Sequence, residues 1–283
     1  MVLNPEKHFD AALEFLQRTR LHGRAPTRET LEVLLQRYAQ LPYENISKIL
    51  KLRSHFDDET RIRLPEEVVE QHWRYRLGGT CFSLTFTLET ILKAAGFACY
   101  PVMAHMRAGM NTHSALVVYL DNAPHLVDPG YLLRHPFRLD RDSRRVYHTS
   151  FTGVELRFDP QDESYHLWTF NRQETKWRYK FWDKPTSPEE FLQHWLDSFY
   201  RPTMHGICIS QTSESGLLYL HNRYFRRTTP GAKETRRLKG DLPPVVESVF
   251  GIPGDLVEAA LAALDENLRL EREKGIFKAG NAP

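Results

Sequence analysis

Three residues in this chain have the types and the order that thiol chemistry needs. Cys81 follows a glycine pair in Arg76-Leu77-Gly78-Gly79-Thr80-Cys81 and stands where a helix should begin. Leu84, Leu88, Ile91, Leu92 and Ala95 follow at helical spacing, and Gly96 offers a C-terminal cap. A cysteine at a helix N-terminus sees the positive end of the macrodipole and free backbone N–H groups. Both favour the thiolate, which is the nucleophile. Downstream stand His113, in Thr112-His113-Ser114-Ala115-Leu116, and Asp128, in Leu126-Val127-Asp128-Pro129-Gly130. Each adjoins an apolar run of strand type. In this order His113 takes the thiol proton, and Asp128 holds the imidazole ring.

Each residue also has an ordinary explanation. Free cysteines are mostly small buried hydrophobes, and Asp-Pro-Gly is a turn signal in its own right. Three local features favour chemistry at Cys81. The two glycines permit a tight turn and close backbone approach. A helix start supplies N–H groups for an oxyanion. Thr80, Ser83, Thr85 and Thr87 crowd a stretch that an apolar pocket would leave to hydrocarbon.

Elements must bring these residues together, and the chain is long enough to supply them. Its 283 residues can bury a core without disulfides or metal. With 41% hydrophobic and 26% charged residues it has a soluble globular composition. A net charge of +2 gives no case for nucleic acid. Cys81, Cys99 and Cys208 form no CxxC pair, which points to a reducing compartment, the cytoplasm. The N-terminus lacks a signal-peptide core, and no stretch approaches the roughly 18 apolar residues of a membrane span.

Helices dominate the first third. Asn4 caps and Pro5 opens one, with Phe9, Leu13 and Leu16 on a face. Thr27 caps a second, with Leu31, Leu34, Leu35 and Tyr38 inward. Pro65 opens a third, and Cys81 heads the fourth. From Phe97 to about Phe181 the apolar residues come in short β-branched and aromatic runs: 99–103, 115–120, 154–158, 165–170 and 177–182. Turn residues separate them, which predicts an antiparallel, barrel-like sheet. The last third is mixed: a helix from Ser187-Pro188, strands near 207–209, 216–221 and 224–227, and a helix over about 254–270. The tail after Lys274 should fray. The fold class expected is α+β. The units are a helical one carrying the nucleophile (1–96), a β-barrel (97–186) and an α/β lid (187–283).

The three segments Gly78-Gly79-Thr80-Cys81, Thr112-His113 and Leu126-Val127-Asp128-Pro129-Gly130-Tyr131 resemble the catalytic segments of the arylamine N-acetyltransferases. Pro42-Tyr43-Glu44-Asn45-Ile46 is similar to that family's Phe-Glu-Asn-Leu segment. Residues 191–203 and 217–227 look like its lid region, and Val249-Phe250-Gly251-Ile252 like its phenylalanine-glycine ending. The resemblance covers roughly residues 5–270. It implies a cysteine-protease-like core and a Cys-His-Asp site. Cys81 would accept an acyl group from an acyl-CoA, or from an acyl carrier protein, and pass it to an amine or hydroxylamine by a ping-pong route. It implies no bound cofactor and no metal. The partners are a small acyl donor, an amine acceptor and, in one version, a carrier protein, with no nucleic acid and no membrane. Tyr43, Gly79, Thr80, Phe82, Tyr131 and Arg226 are the candidate substrate-binding residues.

The chain departs from the family pattern at several positions. Leu77 stands where the family has the arginine of Arg-Gly-Gly-x-Cys, and arginine is displaced to Arg76. Glu44, which that arginine normally faces, therefore needs another partner, and Arg76 is the candidate. Ser83 and Thr85 replace the usual polar pair after the cysteine, and Asp-Val-Gly-Phe has become Asp128-Pro129-Gly130-Tyr131. The 32 residues from Cys81 to His113 form a shorter connection than is usual. Alternatives are an amide synthase of a biosynthetic pathway, a transglutaminase-like amidase, and a binding module without activity.

Residues 223–239 carry seven basic residues against Glu234 alone. A solvated hairpin is the ordinary reading, and contact with coenzyme A phosphates the functional one. His105, His113 and His125 match no metal-ligand spacing. The five tryptophans are expected in the core or at interfaces.

Overall fold

The structure is a computed structural model, and it describes residues 3–56, 58–213, 215–229 and 231–275. Beyond Gly275, the expected frayed tail lies outside the described residues.

Asn4 accepts a hydrogen bond from the Glu6 N–H, and Pro5 opens a short 3₁₀ turn that leads into α1 (Phe9–Arg18). Thr27 caps α2 (Arg28–Tyr38) by accepting from the Thr30 N–H. The two-residue strand β1 (Tyr43–Glu44) and helix α3 (Ile46–Ser54) follow. Then come α4 (Pro65–Tyr75) and α5 (Cys81–Ala94). Helix α5 runs through the centre, with every residue from Cys81 to Leu92 buried. Its leucines pack toward α1, α2 and α4. Its Thr85 hydroxyl donates to the Ser114 carbonyl at 3.2 Å, and Ser114 Oγ donates back at 3.1 Å. Gly96 ends the helix with φ +85°, as a C-terminal cap requires.

The next eight strands are β2 (Cys99–Met106), β3 (Gly109–Leu120), β4 (Ala123–Val127), β5 (Phe137–Arg138), β6 (Arg145–His148), β7 (Gly153–Asp159), β8 (Ser164–Phe170) and β9 (Thr175–Phe181). They form one antiparallel sheet in the order β5-β4-β3-β2-β9-β8-β7-β6. Its ends nearly meet: the Arg138 N–H donates to Tyr147 Oη at 3.3 Å, and the Phe137 and Tyr147 rings touch edge to face. The interior is filled by Val102, Ala104, Ala115, Val117, Leu126, Leu167, Tyr179 and Phe181. The expected α+β architecture with a barrel-like sheet is what the chain adopts.

Helix α6 (Pro188–Asp197) leads, through two 3₁₀ turns over residues 198–204, to β10 (Cys208–Ser213), β11 (Gly216–His221), β12 (Tyr224–Thr228) and β13 (Lys233–Arg237). These four strands and β1 make a second sheet, ordered β1-β10-β11-β12-β13. Two helices close the fold, α7 (Leu242–Phe250) and α8 (Gly254–Glu273). Of the five tryptophans only Trp195 is buried, and the others are half-exposed. No helix among the described residues is long and apolar enough to cross a membrane.

Candidate active site

The turn before α5 is held from two sides. Gly79 bridges Tyr43 in a parallel sense: the Glu44 N–H donates to the Gly79 carbonyl at 2.9 Å, and the Gly79 N–H to Pro42 O at 3.3 Å. A Cβ at Gly78 would lie 1.9 Å from the Pro42 carbonyl oxygen. Glycine is needed there for space, because the backbones approach closely. Thr80 takes the N-cap position with extended backbone and no side-chain cap bond. The Leu84 N–H donates to the Thr80 carbonyl, which leaves the first-turn N–H groups, including that of Cys81, without intrahelical acceptors.

His113 lies on β3 opposite Ala104, and Asp128 follows the end of β4. The β3–β4 register brings the two side chains together on one face. His113 Nε2 and Asp128 Oδ2 are 2.8 Å apart. That bond leaves Nδ1 for the thiol, whose charge and that of the ring stabilise each other. Cys81, His113 and Asp128 are 7%, 4% and 0% exposed. Gly130 sits among all three. A Cβ there would lie 2.8 Å from His113 Cε1, 3.0 Å from Cys81 Cβ and 3.3 Å from Asp128 Oδ1.

Asp128 is fully bonded. Tyr179 Oη donates to its Oδ2 at 2.6 Å, and the Tyr131 N–H donates to its Oδ1 at 3.0 Å. The His113 ring packs against Tyr131 and Tyr179, with centroids at 5.3 and 4.8 Å.

Electrostatics separate Cys81 from the other two cysteines. Burial pushes its thiol up, but the His113 hydrogen bond and charge, the Lys48 charge and a Ser114 backbone hydrogen bond outweigh this and hold it below the ordinary thiol range. Burial also disfavours a charged His113, yet the charge and hydrogen bond of Asp128, with Cys81 beside it, raise the ring to about 10. Both shifts favour the thiolate–imidazolium pair over thiol and neutral imidazole. Cys99 and Cys208 are pushed up by burial, to about 12 and about 11. Such a constellation can attack a carbonyl carbon and return a proton to the leaving group.

The other candidate residues fall at different places. Tyr43 adjoins the site, its phenol raised by burial and by the nearby Cys81, Cys208, Tyr131 and Tyr219. Gly79 and Thr80 form the turn just described. Phe82 is enclosed by Phe191 and stacked on Trp195, so it supports the turn from within the core. Arg226 on β12 lies over the Tyr219 ring at 4.8 Å. His105, His113 and His125 are engaged in separate contacts, with Asn111, Asp128 and Arg28 respectively.

A family model described as N-acetyltransferase matches residues 27–257, most of the chain and all of this site. The chain belongs to that family. As a member it is an N-acetyltransferase, and its likeness to the arylamine N-acetyltransferases extends to the whole fold. The arylamine N-acetyltransferase of Mycobacterium abscessus is 23% identical, with 93% of this chain and 97% of that one covered and a TM-score of 0.75. That of Mycobacterium marinum is 20% identical, with 90% and 98% covered and a TM-score of 0.74. One from Bacillus cereus, described as having a unique Cys-His-Glu triad, is 19% identical, with 86% and 99% covered and a TM-score of 0.68. This chain has aspartate as its third residue. A comparison with curated proteins found no match.

The family frame exposes one wrong expectation. Glu44 is not partnered by Arg76. Arg76 caps α4 in the left-handed region, φ 58°, and its exposed side chain lies by Gly251. Arg63 replaces the family's arginine from before α4. It is 3% exposed, lies 3.7 Å from Glu44, and donates to Ser47 Oγ at 2.7 Å, Gly78 O at 2.6 Å and Gln71 Oε1 at 2.8 Å. Glu44 also accepts from the Ser47 hydroxyl and N–H. Sequence motifs did not single out Arg63, Lys48, Tyr179 or Gly130. The first two stand outside the family segments. The glycine stood inside one, where its close-packing role has no sequence signal.

Proposed function

We propose that the protein transfers an acyl group from a thioester to an amine through an acyl-thioester on Cys81. The Cys81 thiolate attacks the donor carbonyl, and its S–C bond forms as the donor C–S bond breaks. The departing thiolate, that of coenzyme A or of a carrier arm, takes the proton of His113. The acceptor amine then attacks the acyl-enzyme and gives its proton to His113. The Cys81 thiolate leaves, so amide and ion pair appear together. First-turn N–H groups of α5 would hold the oxyanion. Asp128 keeps the ring oriented and its charge balanced, and Tyr179 and the Tyr131 N–H keep Asp128 in place.

The observation that carries this reading is the ordered Cys81–His113–Asp128 geometry, in which one thiol of three has a lowered pKa. Tyr43 and Tyr131 would wall the acceptor site, beside Gly79 and Thr80. Arg226, at the inner edge of the basic β12–β13 hairpin, would meet phosphates of the donor. The cytoplasm suits a chain whose three cysteines are all free thiols.

Intact-mass analysis tests the proposal. Wild-type protein incubated with a panel of acyl thioesters should gain one acyl mass, mapped to Cys81 and absent in Cys81→Ser. A folded wild-type protein that stays unmodified by every donor would refute it.

A further inference from the structure

The register of the second sheet lines up one row of residues that starts beside the nucleophile. Gly79, two residues before Cys81, bridges Tyr43. Tyr43 pairs with Ser210, Ser210 with Tyr219, Tyr219 with Arg226, and Arg226 with Thr235. Directly paired residues point to the same face of a sheet. The next row, Ile209, Leu220 and Phe225, takes the opposite face and is buried in the core. The row of Tyr43 therefore lies on the outer face, half-buried from Tyr43 to Arg226 and exposed at Thr235. Arg226 sits over the Tyr219 ring at 4.8 Å, and its buried Nε has no hydrogen-bond partner.

Beyond Arg226 the sheet ends in a basic edge. Strand β13 is its last strand, and Arg227, Lys233, Arg236, Arg237 and Lys239 are all exposed. Lys233 is held by Glu174 of the barrel at 3.8 Å. Among the described residues no carboxylate pairs with Arg226, Arg227, Arg236, Arg237 or Lys239. Alternation puts Arg237 on the face of the row and Arg236 on the other, over the Phe225 ring at 4.9 Å. The phosphates of one nucleotide reach one face of a strand. A protein surface rich in carboxylates reaches both. Basic side chains also keep a bare sheet edge from pairing, but that duty needs no polar row leading inward to a nucleophile.

The length of the row fits one kind of donor. Three strand spacings, about 14 Å, separate Tyr43 from Arg226. A phosphopantetheine arm has roughly thirteen bonds from sulfur to phosphorus, which span about 15 Å at the extension of a polypeptide backbone. We propose that the basic β12–β13 edge docks an acidic carrier protein, and that the row from Arg226 to Tyr43 receives its phosphopantetheine arm. This rests on the acyltransferase reading of Cys81 and names the source of its donor. The arm's phosphate meets Arg226, and its sulfur end lies by Tyr43 and the glycine turn. The Cys81 sulfur bonds to the acyl carbon as the bond from that carbon to the arm's sulfur breaks. The arm leaves as a thiol with the proton of His113, still attached to its carrier.

The test places one acyl group, the best found with the thioester panel, on three donors: pantetheine, coenzyme A and an acidic acyl carrier protein. Intact mass follows the rate of Cys81 acylation with each donor far below saturation. The carrier should acylate Cys81 at least about tenfold faster than the pantetheine thioester does. At about 1 M salt that advantage should shrink to about twofold, because surface charges are then screened. Joint replacement by Arg236→Glu, Arg237→Glu and Lys239→Glu should abolish the advantage at low salt and leave the pantetheine rate within about twofold. Arg226→Gln should slow both phosphorylated donors at least about threefold relative to pantetheine. Should the triple variant fail to fold, the salt series on the wild-type protein decides. Equal carrier and pantetheine rates, or an advantage that survives high salt, would overturn the docking and leave the edge as protection against pairing only. A triple variant that slows the coenzyme A donor as much as the carrier would overturn it too, and would assign the edge to nucleotide phosphates. In each of these outcomes Cys81 is still acylated, so the docking fails alone. Failure of the whole panel, carrier included, refutes the acyltransferase reading itself.

Discussion

At the residue scale, the proposed reactive unit is an ion pair that charges and hydrogen bonds set up against the cost of burial. Thiolate persists wherever pH exceeds the lowered pKa of Cys81, and imidazolium persists up to about 10. Alkylation of Cys81 by iodoacetamide should therefore persist to lower pH than that of an ordinary thiol, and should fall when pH drops through the lowered thiol value. His113→Asn removes the dominant opposing charge, and burial then raises the thiol. Its alkylation should fall steeply below about pH 9, the ordinary thiol region. A wild-type profile that titrates like the variant would contradict the ion pair. Gly130→Ala is a second test. Its methyl would meet His113 Cε1 and Cys81 Cβ at contact-breaking distances. Transfer should drop at least about tenfold, because small misplacements of reacting groups are costly. The melting temperature should move little, since the methyl strains only the triad side chains. The grouping of Cys81, His113 and Asp128 was legible in the sequence because each lies in a short, locally patterned segment. Gly130 was legible only as part of a turn, since the crowding around it comes from chain segments 17 and 49 residues away.

At the element scale, the turn before α5 is anchored by groups that belong to other segments. Arg63 ties Glu44, Ser47, Gly78 and Gln71 together. Arg63→Ala would leave Glu44, 0% exposed, without its cation. A loss of about 3–5 kcal/mol in denaturant unfolding is expected. An unchanged midpoint would mean that the Glu44 site finds water instead. Asn45 stitches α3 to the segment before β10: its Nδ2 donates to Thr203 O and Gly206 O, and its Oδ1 accepts from the Cys208 N–H. Asn45→Ala should cost about 1–3 kcal/mol. Amide exchange should quicken at Cys208 before it does in the barrel.

Helices with a polar face, such as α1, α2 and α6, could be read from periodicity. Helix α3 could not, because Lys48 and Ser47 are buried among its apolar residues and blur the pattern. Nor could α7, whose Pro243-Pro244 opening looks like a loop until its first turn is seen to need no N–H donors. Helix α5 misleads in the opposite way. Its threonine face is buried against β3, so a stripe that looks solvent-facing is a contact surface.

At the scale of the whole molecule, the order of N-terminal helices, barrel-like sheet and mixed C-terminal part follows from local composition. The closure between distant segments did not follow. Strand β1 has two residues, too few for any strand signal, yet it joins the sheet formed by β10 more than 160 residues later. That pairing, with the Tyr43–Gly79 bridge, ties the glycine turn before Cys81 to the second sheet. Arg63 in the role of the family's arginine shows the same thing: what is kept is a cation over Glu44, and the fold can supply it from another segment. In the proposed reaction an acyl group rests on Cys81 and is then surrendered to an amine. The most direct measurement isolates the acylated protein free of donor, adds an arylamine or an amino acid, and follows protein and amine by mass. The acyl mass should leave Cys81 and appear as amide on the amine, and His113→Asn should slow the transfer at least about a hundredfold. An acyl group that leaves only as the free acid, whichever amine is present, would contradict it.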